Sequence, residues 1–286
     1  MKKILITGKN SYIGNSFVNY VQEEKRFEPT CISLRDNVDL KVLEGYDVVL
    51  HVAGIVHRPD ATTEMYEKVN HELAVDVATY AKNVGVKQFI LMSSGAVYTQ
   101  NDRKHKMISV NENSPMSPST GYGISKMNAE NDIKSIVKGS EMKLSILRPA
   151  MVYGKNAKGN YPRLSKLVQK CPVFPDVENN RSILYIDNLC ELIKLIILEE
   201  TEGSFLPQNK EYISTKRLIQ EIAKVHNKKV LFTKCMNPLF NVASAYIDSL
   251  NKLFGTYCYE RPNGDYFEGR YQVVGFEESI RLSERI

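Results

Sequence analysis

The sequence has none of the features that staple a small fold or anchor one in a membrane. Its five cysteines, Cys31, Cys171, Cys190, Cys235 and Cys258, are odd in number and never fall in a Cys-x-x-Cys spacing. That excludes a disulfide framework or a zinc knuckle and points to a reducing compartment. No apolar stretch approaches the roughly 20 residues needed to cross a bilayer. The longest, residues 189–198, is broken by Glu191 and Lys194. The N-terminal run Ile4-Leu5-Ile6 stops at Thr7-Gly8, as a short strand does and a secretory leader does not. Runs of Lys or Arg are missing too. The 38 basic and 33 acidic side chains are spread along the chain, and the net +5 suits a solvated surface or a small anionic ligand. His51 and His57 flank an apolar run without the convergent ligands that a metal requires. The expectation is a cytoplasmic protein with no metal, no nucleic acid and no membrane insertion.

What is present is ordinary globular composition, 43% hydrophobic and 25% charged over 286 residues. That length allows one large domain, or one domain with a smaller lobe. Short apolar runs at 3–6, 30–34, 47–52, 88–92 and 144–147 read as buried parallel strands. Helical patterns at 13–24, 64–84 and 122–137 lie between them, so the fold class is α/β: a Rossmann-like, doubly wound parallel sheet. The pattern loosens after Arg148-Pro149. A strand at 181–186 and a helix at 188–198 then return, and residues 238–254 read as an amphipathic helix covering the other lobe. The implied division is a dinucleotide-binding domain of 1–155 with 182–201, and a substrate-binding lobe of 156–181 with 202–286.

Three motifs carry chemistry. The first strand runs into Thr7-Gly8-Lys9-Asn10-Ser11-Tyr12-Ile13-Gly14 and then a helix. A tight glycine turn at a helix start offers backbone N–H groups and the helix dipole to a pyrophosphate. Ser11 stands where a middle glycine is usual, and its hydroxyl is expected to approach the phosphate. Tyr122-Gly123-Ile124-Ser125-Lys126 sets a phenol and an ammonium on one helical face. There Lys126 is expected to lower the Tyr122 pKa for proton exchange with a sugar or alcohol oxygen. The strand at 88–92 ends in Ser93-Ser94-Gly95-Ala96-Val97-Tyr98, at the sheet edge where such folds bind ligands. From there Ser94 can polarise the oxygen that Tyr122 protonates.

In this order, and followed by Leu147-Arg148-Pro149-Ala150-Met151-Val152-Tyr153-Gly154, the motifs resemble the extended short-chain dehydrogenase/reductase family of nucleotide-sugar epimerases, dehydratases and reductases. The resemblance spans nearly the whole chain. It implies Ser94, Tyr122 and Lys126 as the catalytic set. It implies cofactor contacts from Gly8, Ser11, Tyr12, Ile13, Gly14, Arg35, Asp39, Leu40, Val52, Ala53, Gly54, Asn70, Pro149 and Val152, besides Tyr122 and Lys126. Arg181 is implied as the grip on a nucleotide-sugar diphosphate, with Asn160 and Arg163 in the sugar pocket. A homodimer through the helices at 64–84 and 122–137 is implied in the same way.

Segments 87–98, 180–191 and 250–260 are most similar to reductases of capsule and O-antigen biosynthesis. The leading expectation is therefore NADPH-dependent reduction of the C4 ketone of a UDP-4-keto-6-deoxy-N-acetylhexosamine. One alternative is an NAD-dependent UDP-hexose 4-epimerase acting on plain or N-acetylated sugars; the other, of a different class, is a non-catalytic NAD(P) sensor. NADP(H) is preferred and NAD(H) allowed, because Arg35 stands where NAD-selective relatives carry an acid. The competing reading is that Arg35 is a solvated cation and Asp36 holds the ribose. A 4,6-dehydratase is not expected, since Gly95 and Ala96 replace the Asp-Glu pair that dehydratases place after the catalytic hydroxyl.

Overall fold

Strand β1 (Lys2–Thr7) buries its last four residues and forms the axis of a six-stranded parallel sheet. Its companions are β2 (Phe27–Ile32), β3 (Val48–His51), β4 (Gln88–Met92), β6 (Lys143–Leu147) and β10 (Gly203–Phe205), in the order β10-β6-β4-β3-β1-β2. Three two-stranded ribbons stand apart: β5 (Ile108–Val110) with β12 (Tyr257–Tyr259), β7 (Met151–Tyr153) with β9 (Ile183–Tyr185), and β8 (Val173–Pro175) with β11 (Leu231–Thr233). The computed structural model describes residues 1–285 apart from 36–38, 57, 59, 99–107, 239–252 and 261–265. Most of the helix expected at 238–254, His57 and Asp36 therefore lie outside the described residues.

Alternation along the strands decides how the helices are laid on. Ile4, Ile6, Val48, Leu50, Ile90 and Met92 project to one face, against α1 (Tyr12–Tyr20) and α6 (Ile186–Glu199). Leu5, Val49, Phe89, Leu91 and Ile146 project to the other. There they meet a continuous helical segment, α2 (Thr63–Tyr66), a π-turn at Glu67–Glu72 and α3 (Leu73–Asn83), together with α4 (Gly121–Val137). Small residues, Ala74, Ala78, Ala81 and Ala129, allow close approach on that side. The smaller lobe is built on α5 (Asn160–Lys170), α7 (Thr215–Val225) and α8 (Phe276–Glu284). Each fully buried aliphatic or Phe side chain contributes about 1.5–3 kcal/mol. Exposed ion pairs such as Lys87–Asp47 are worth about 0–1 kcal/mol, so the sheet core holds the fold.

The sheet departs from expectation in two places. The second strand is Phe27–Ile32, not 30–34. Pro29 sits inside it, which is tolerated because β2 is an edge strand. The sixth strand, β10, lies just past residue 201, so the sheet extends beyond the boundary drawn there.

His51, at the end of β3, is fully buried, stacks on Phe89 and shares a 3.1 Å hydrogen bond with the Thr7 hydroxyl. Its Nε2 has no partner among the described residues. Burial, helped by the nearby Lys126 charge, pushes its pKa down to about 3. The folded state thus keeps the ring neutral, while the unfolded chain takes up a proton below about pH 6.5. Stability is expected to fall as pH drops from 6.5 towards 5, the slope approaching about 1.4 kcal/mol per pH unit. Urea melts across that range should show the slope in the wild type and its loss in His51→Asn.

Candidate active site

The site forms where β1, β3 and β4 end, and it begins with the turn after β1. Gly8 has φ +93°, and a Cβ there would stand 3.2 Å from the Ala53 Cα. Only glycine lets the turn pass so close to the loop after β3. The first N–H groups of a helix lack partners within it. Ser11 is the N-cap of α1, and its hydroxyl accepts from the Gly14 N–H at 2.9 Å. The cap uses only an acceptor lone pair of the serine, so its O–H still has a proton to donate to a phosphate, as the sequence led us to expect. The other first-turn amides and the helix dipole fit a dinucleotide pyrophosphate.

Beyond β3, Val52, Ala53 and Gly54 run past the turn, and the Thr7 hydroxyl accepts from the Ala53 N–H. Asn70 is fully buried in the π-turn. It accepts from the Ile55 N–H at 2.7 Å and donates to the Ile55 carbonyl at 3.0 Å. A Cβ on Gly54 would stand 2.9 Å from the Asn70 Oδ1 and 3.5 Å from the Lys126 Nζ, so these three residues converge. Asp39 caps the short turn at Leu40–Leu43. Arg35 is exposed, with no ion-pair partner among the described residues. Pro149 accepts from the Gly95 N–H, and Val152 lies in β7.

Helix α4 delivers the Tyr–Lys pair. Thr120 caps it by accepting from the Gly123 N–H, and a Cβ on Gly123 would lie 2.4 Å from the Ala96 carbonyl oxygen. This glycine lets the first turn of α4 dock on the Ser94 turn. The Ser94 hydroxyl lies beside the Tyr122 phenol and favours its ionised form, and Tyr66 meets the ring edge-on. Ser94 also accepts from the Ala96 N–H at 3.1 Å. Lys126 is buried and donates to the Met92 carbonyl at 2.9 Å.

The electrostatics correct one expectation. Burial raises the Tyr122 pKa, the neighbouring Ser94 hydroxyl pulls it down, and Tyr66 raises it further. Lys126 is directed at a backbone carbonyl and is itself pushed down to about 8 by burial, against the opposing pull of Glu130. The neighbour that favours the phenolate here is the Ser94 hydroxyl, while the Lys126 ammonium donates to the Met92 carbonyl.

A buried ion pair that the motif reading missed supports the set. Arg148 is 2% exposed and Glu130 0%. The Arg148 guanidinium donates from Nε to Glu130 at 3.0 Å and from Nη2 at 2.5 Å, and from Nη1 to the Tyr98 hydroxyl at 2.5 Å. Ser93 donates to the same carboxylate. The available signal was Glu130 one turn beyond Lys126 on a buried helical face.

Arg181 lies in the smaller lobe, beside β12. Its Nη1 donates to the Gly255 carbonyl at 2.6 Å, and its buried Nε has no partner among the described residues. Burial lowers its pKa to about 10. No carboxylate among the described residues pairs with it, which leaves a largely desolvated cation suited to an anion. Asn160 opens α5, and Arg163 is exposed on that helix. Neither is drawn to the Tyr122 set by any described hydrogen bond. No cluster of metal-ligating side chains occurs among the described residues.

Residues 4–204 match the NAD dependent epimerase/dehydratase family. A UDP-glucose 4-epimerase of Vibrio cholerae is 29% identical over 249 residues, covering 78% of this chain and 75% of that one. An N-acetyl-alpha-D-glucosaminyl-diphospho-ditrans,octacis-undecaprenol 4-epimerase of Escherichia coli O157:H7 is 27% identical over 273 residues, covering 88% and 81%. The crystal structure of UDP-glucuronic acid 4-epimerase from Bacillus cereus in complex with NAD aligns with a TM-score of 0.77 at 20% identity, covering 98% and 95%. That likeness shows a shared fold.

The buried pair gives a test of how the site is held. Arg148→Met strands the Glu130 carboxylate and is expected to destabilise the protein by about 3–5 kcal/mol. Replacing both residues with methionine should recover a large part of that loss. Denaturant midpoints of the two variants and the wild type make the comparison.

Proposed function

Because this chain belongs to the NAD dependent epimerase/dehydratase family, we propose that it is a 4-epimerase of UDP-linked hexoses or N-acetylhexosamines that keeps NAD(H) bound. The observation that carries this reading is one proton-transfer set, Tyr122 beside Ser94, with no second acid/base pair beside it among the described residues. A Cβ on Gly95 would stand 2.2 Å from the Tyr259 hydroxyl, so an acid has no room there. That argues against dehydration. The curated relatives named 4-epimerases cover most of the chain, and they favour inversion over the NADPH-dependent 4-keto reduction that the motifs alone put first.

When bound, the nicotinamide supplies acceptance and return of a hydride at C4. Tyr122 takes the proton from the 4-hydroxyl and later gives it back, acting at one oxygen throughout. Ser94 holds that oxygen and favours the phenolate of Tyr122. Lys126 and Asn70 line the floor beside Gly54, where the nicotinamide ribose would lie. The turn from Gly8 to Gly14 takes the pyrophosphate. Arg181 takes the substrate diphosphate, whose charge compensates its burial.

The test is to release bound cofactor from the purified protein by denaturation, and to follow UDP-N-acetylglucosamine and UDP-glucose by NMR for inversion at C4. Retained NAD(H) and inversion are expected. NADPH oxidation by a UDP-4-keto sugar with no inversion would return the assignment to the reductase, and tight cofactor binding with no turnover on any nucleotide sugar would favour the sensor. Arg35 bears on the same choice. Binding of NADPH tenfold or more tightly than NADH, abolished in Arg35→Asp, would mark a 2′-phosphate site and count against retained NAD. Tyr122→Phe is expected to lower turnover by about 10²–10⁴-fold while leaving cofactor binding largely intact.

A further inference from the structure

The short strand β12 joins two parts of the proposed site that are distant in sequence. On one side it lies along the segment that carries Arg181. The Ser182 N–H donates to the Tyr257 carbonyl at 2.9 Å, the Tyr257 N–H donates to the Asn180 carbonyl at 3.1 Å, and Arg181 itself reaches the Gly255 carbonyl. On the other side the Tyr257 side chain crosses to the catalytic turn, and its hydroxyl donates to the Gly95 carbonyl at 2.8 Å. The turn is thus held from two directions: α4 docks on the Ala96 carbonyl through Gly123, and Tyr257 binds the carbonyl one residue earlier.

We propose that Tyr257 is a positioning residue for Ser94, the link by which the strand that supports the anion-binding Arg181 also holds the catalytic turn. The proposal rests on the roles given above to Ser94, Tyr122 and Arg181. The Gly95 carbonyl belongs to the residue directly after Ser94, and the Ser94 hydroxyl is oriented by the next amide, that of Ala96. Without the phenol, the peptide between Ser94 and Ala96 loses its anchor on the side facing the smaller lobe. The neighbouring Tyr259 hydroxyl donates instead to the Arg148 carbonyl at 2.8 Å and makes a natural control. The Tyr259 phenol is buried and that of Tyr257 half-buried against the same turn, and among the described hydrogen bonds it is Tyr257 that donates to it.

Tyr257→Phe removes the hydroxyl and keeps the ring. Turnover is expected to fall about ten- to a hundredfold, the size of effect that small misplacements of reacting groups produce. KM, bound NAD(H) and thermal stability should match those of Tyr259→Phe. The discriminating readout is the titration of Tyr122, taken as the ultraviolet difference spectrum against the same protein carrying Tyr122→Phe. The Ser94 hydroxyl beside it holds the Tyr122 pKa down against the effect of burial. Misplacing Ser94 in Tyr257→Phe therefore moves the titration to higher pH, and Tyr259→Phe leaves it in place. An unmoved titration overturns the proposal. So does a Tyr257→Phe protein that does not fold, because a hydroxyl whose loss unfolds the chain is structural. The titration needs no turnover, so failure of the epimerase assignment would be seen separately, as a wild type inactive on every nucleotide sugar.

Discussion

The candidate site depends on one interaction out of reach of solvent, the pairing of Arg148 with Glu130. The two come from different elements, the end of β6 and the middle of α4, and Ser93 at the end of β4 joins them through the same carboxylate. An isolated charge in such surroundings is costly, and the cost is offset only when every donor and acceptor is matched. The pair therefore tolerates little movement of β4, β6 or α4 relative to one another. Ser94 follows Ser93 directly, and Lys126 lies one helical turn before Glu130. The residues proposed for chemistry are adjacent to the most constrained ones.

Three cations, two buried and one half-buried, show how differently the fold treats charge. Arg148 has a carboxylate. Lys126 has a backbone carbonyl, and its pKa is depressed by burial. Arg181 has the Gly255 carbonyl on one nitrogen and a buried Nε with no described partner. Among the described residues, only the first is complete. The other two lie in the regions assigned to the cofactor ribose and to the substrate diphosphate, so the electrostatic imbalance and the proposed ligands fall in the same places.

The central sheet was legible in the sequence wherever a strand was an unbroken apolar run. The stretch 88–92 is the clearest case, because both of its faces are buried and nothing competes with that reading. The second strand was misplaced because its polar beginning, Glu28-Pro29, suits an edge strand and not a buried one. The Tyr122–Lys126 spacing was legible because helical periodicity sets it locally. Their ionisation was not, since it depends on Tyr66, on Met92 and on burial contributed by distant segments. Asn70 was found by motif, but the π-turn that aims it at Ile55 has no sequence signature. The crossing of β12 to the Ser94 turn, 162 residues apart in the chain, could not be read from local pattern at all.

Strand β2 has a consequence beyond register. It forms one open margin of the sheet, where a row of unpaired backbone groups would invite another chain to add itself. Pro29 removes one donor from that row, and the exposed Glu28 next to it places a charge there. The opposite margin, β10, is only three residues long. With both margins poor templates, runaway polymerisation by strand addition is disfavoured, and any association between copies is left to side-chain surfaces.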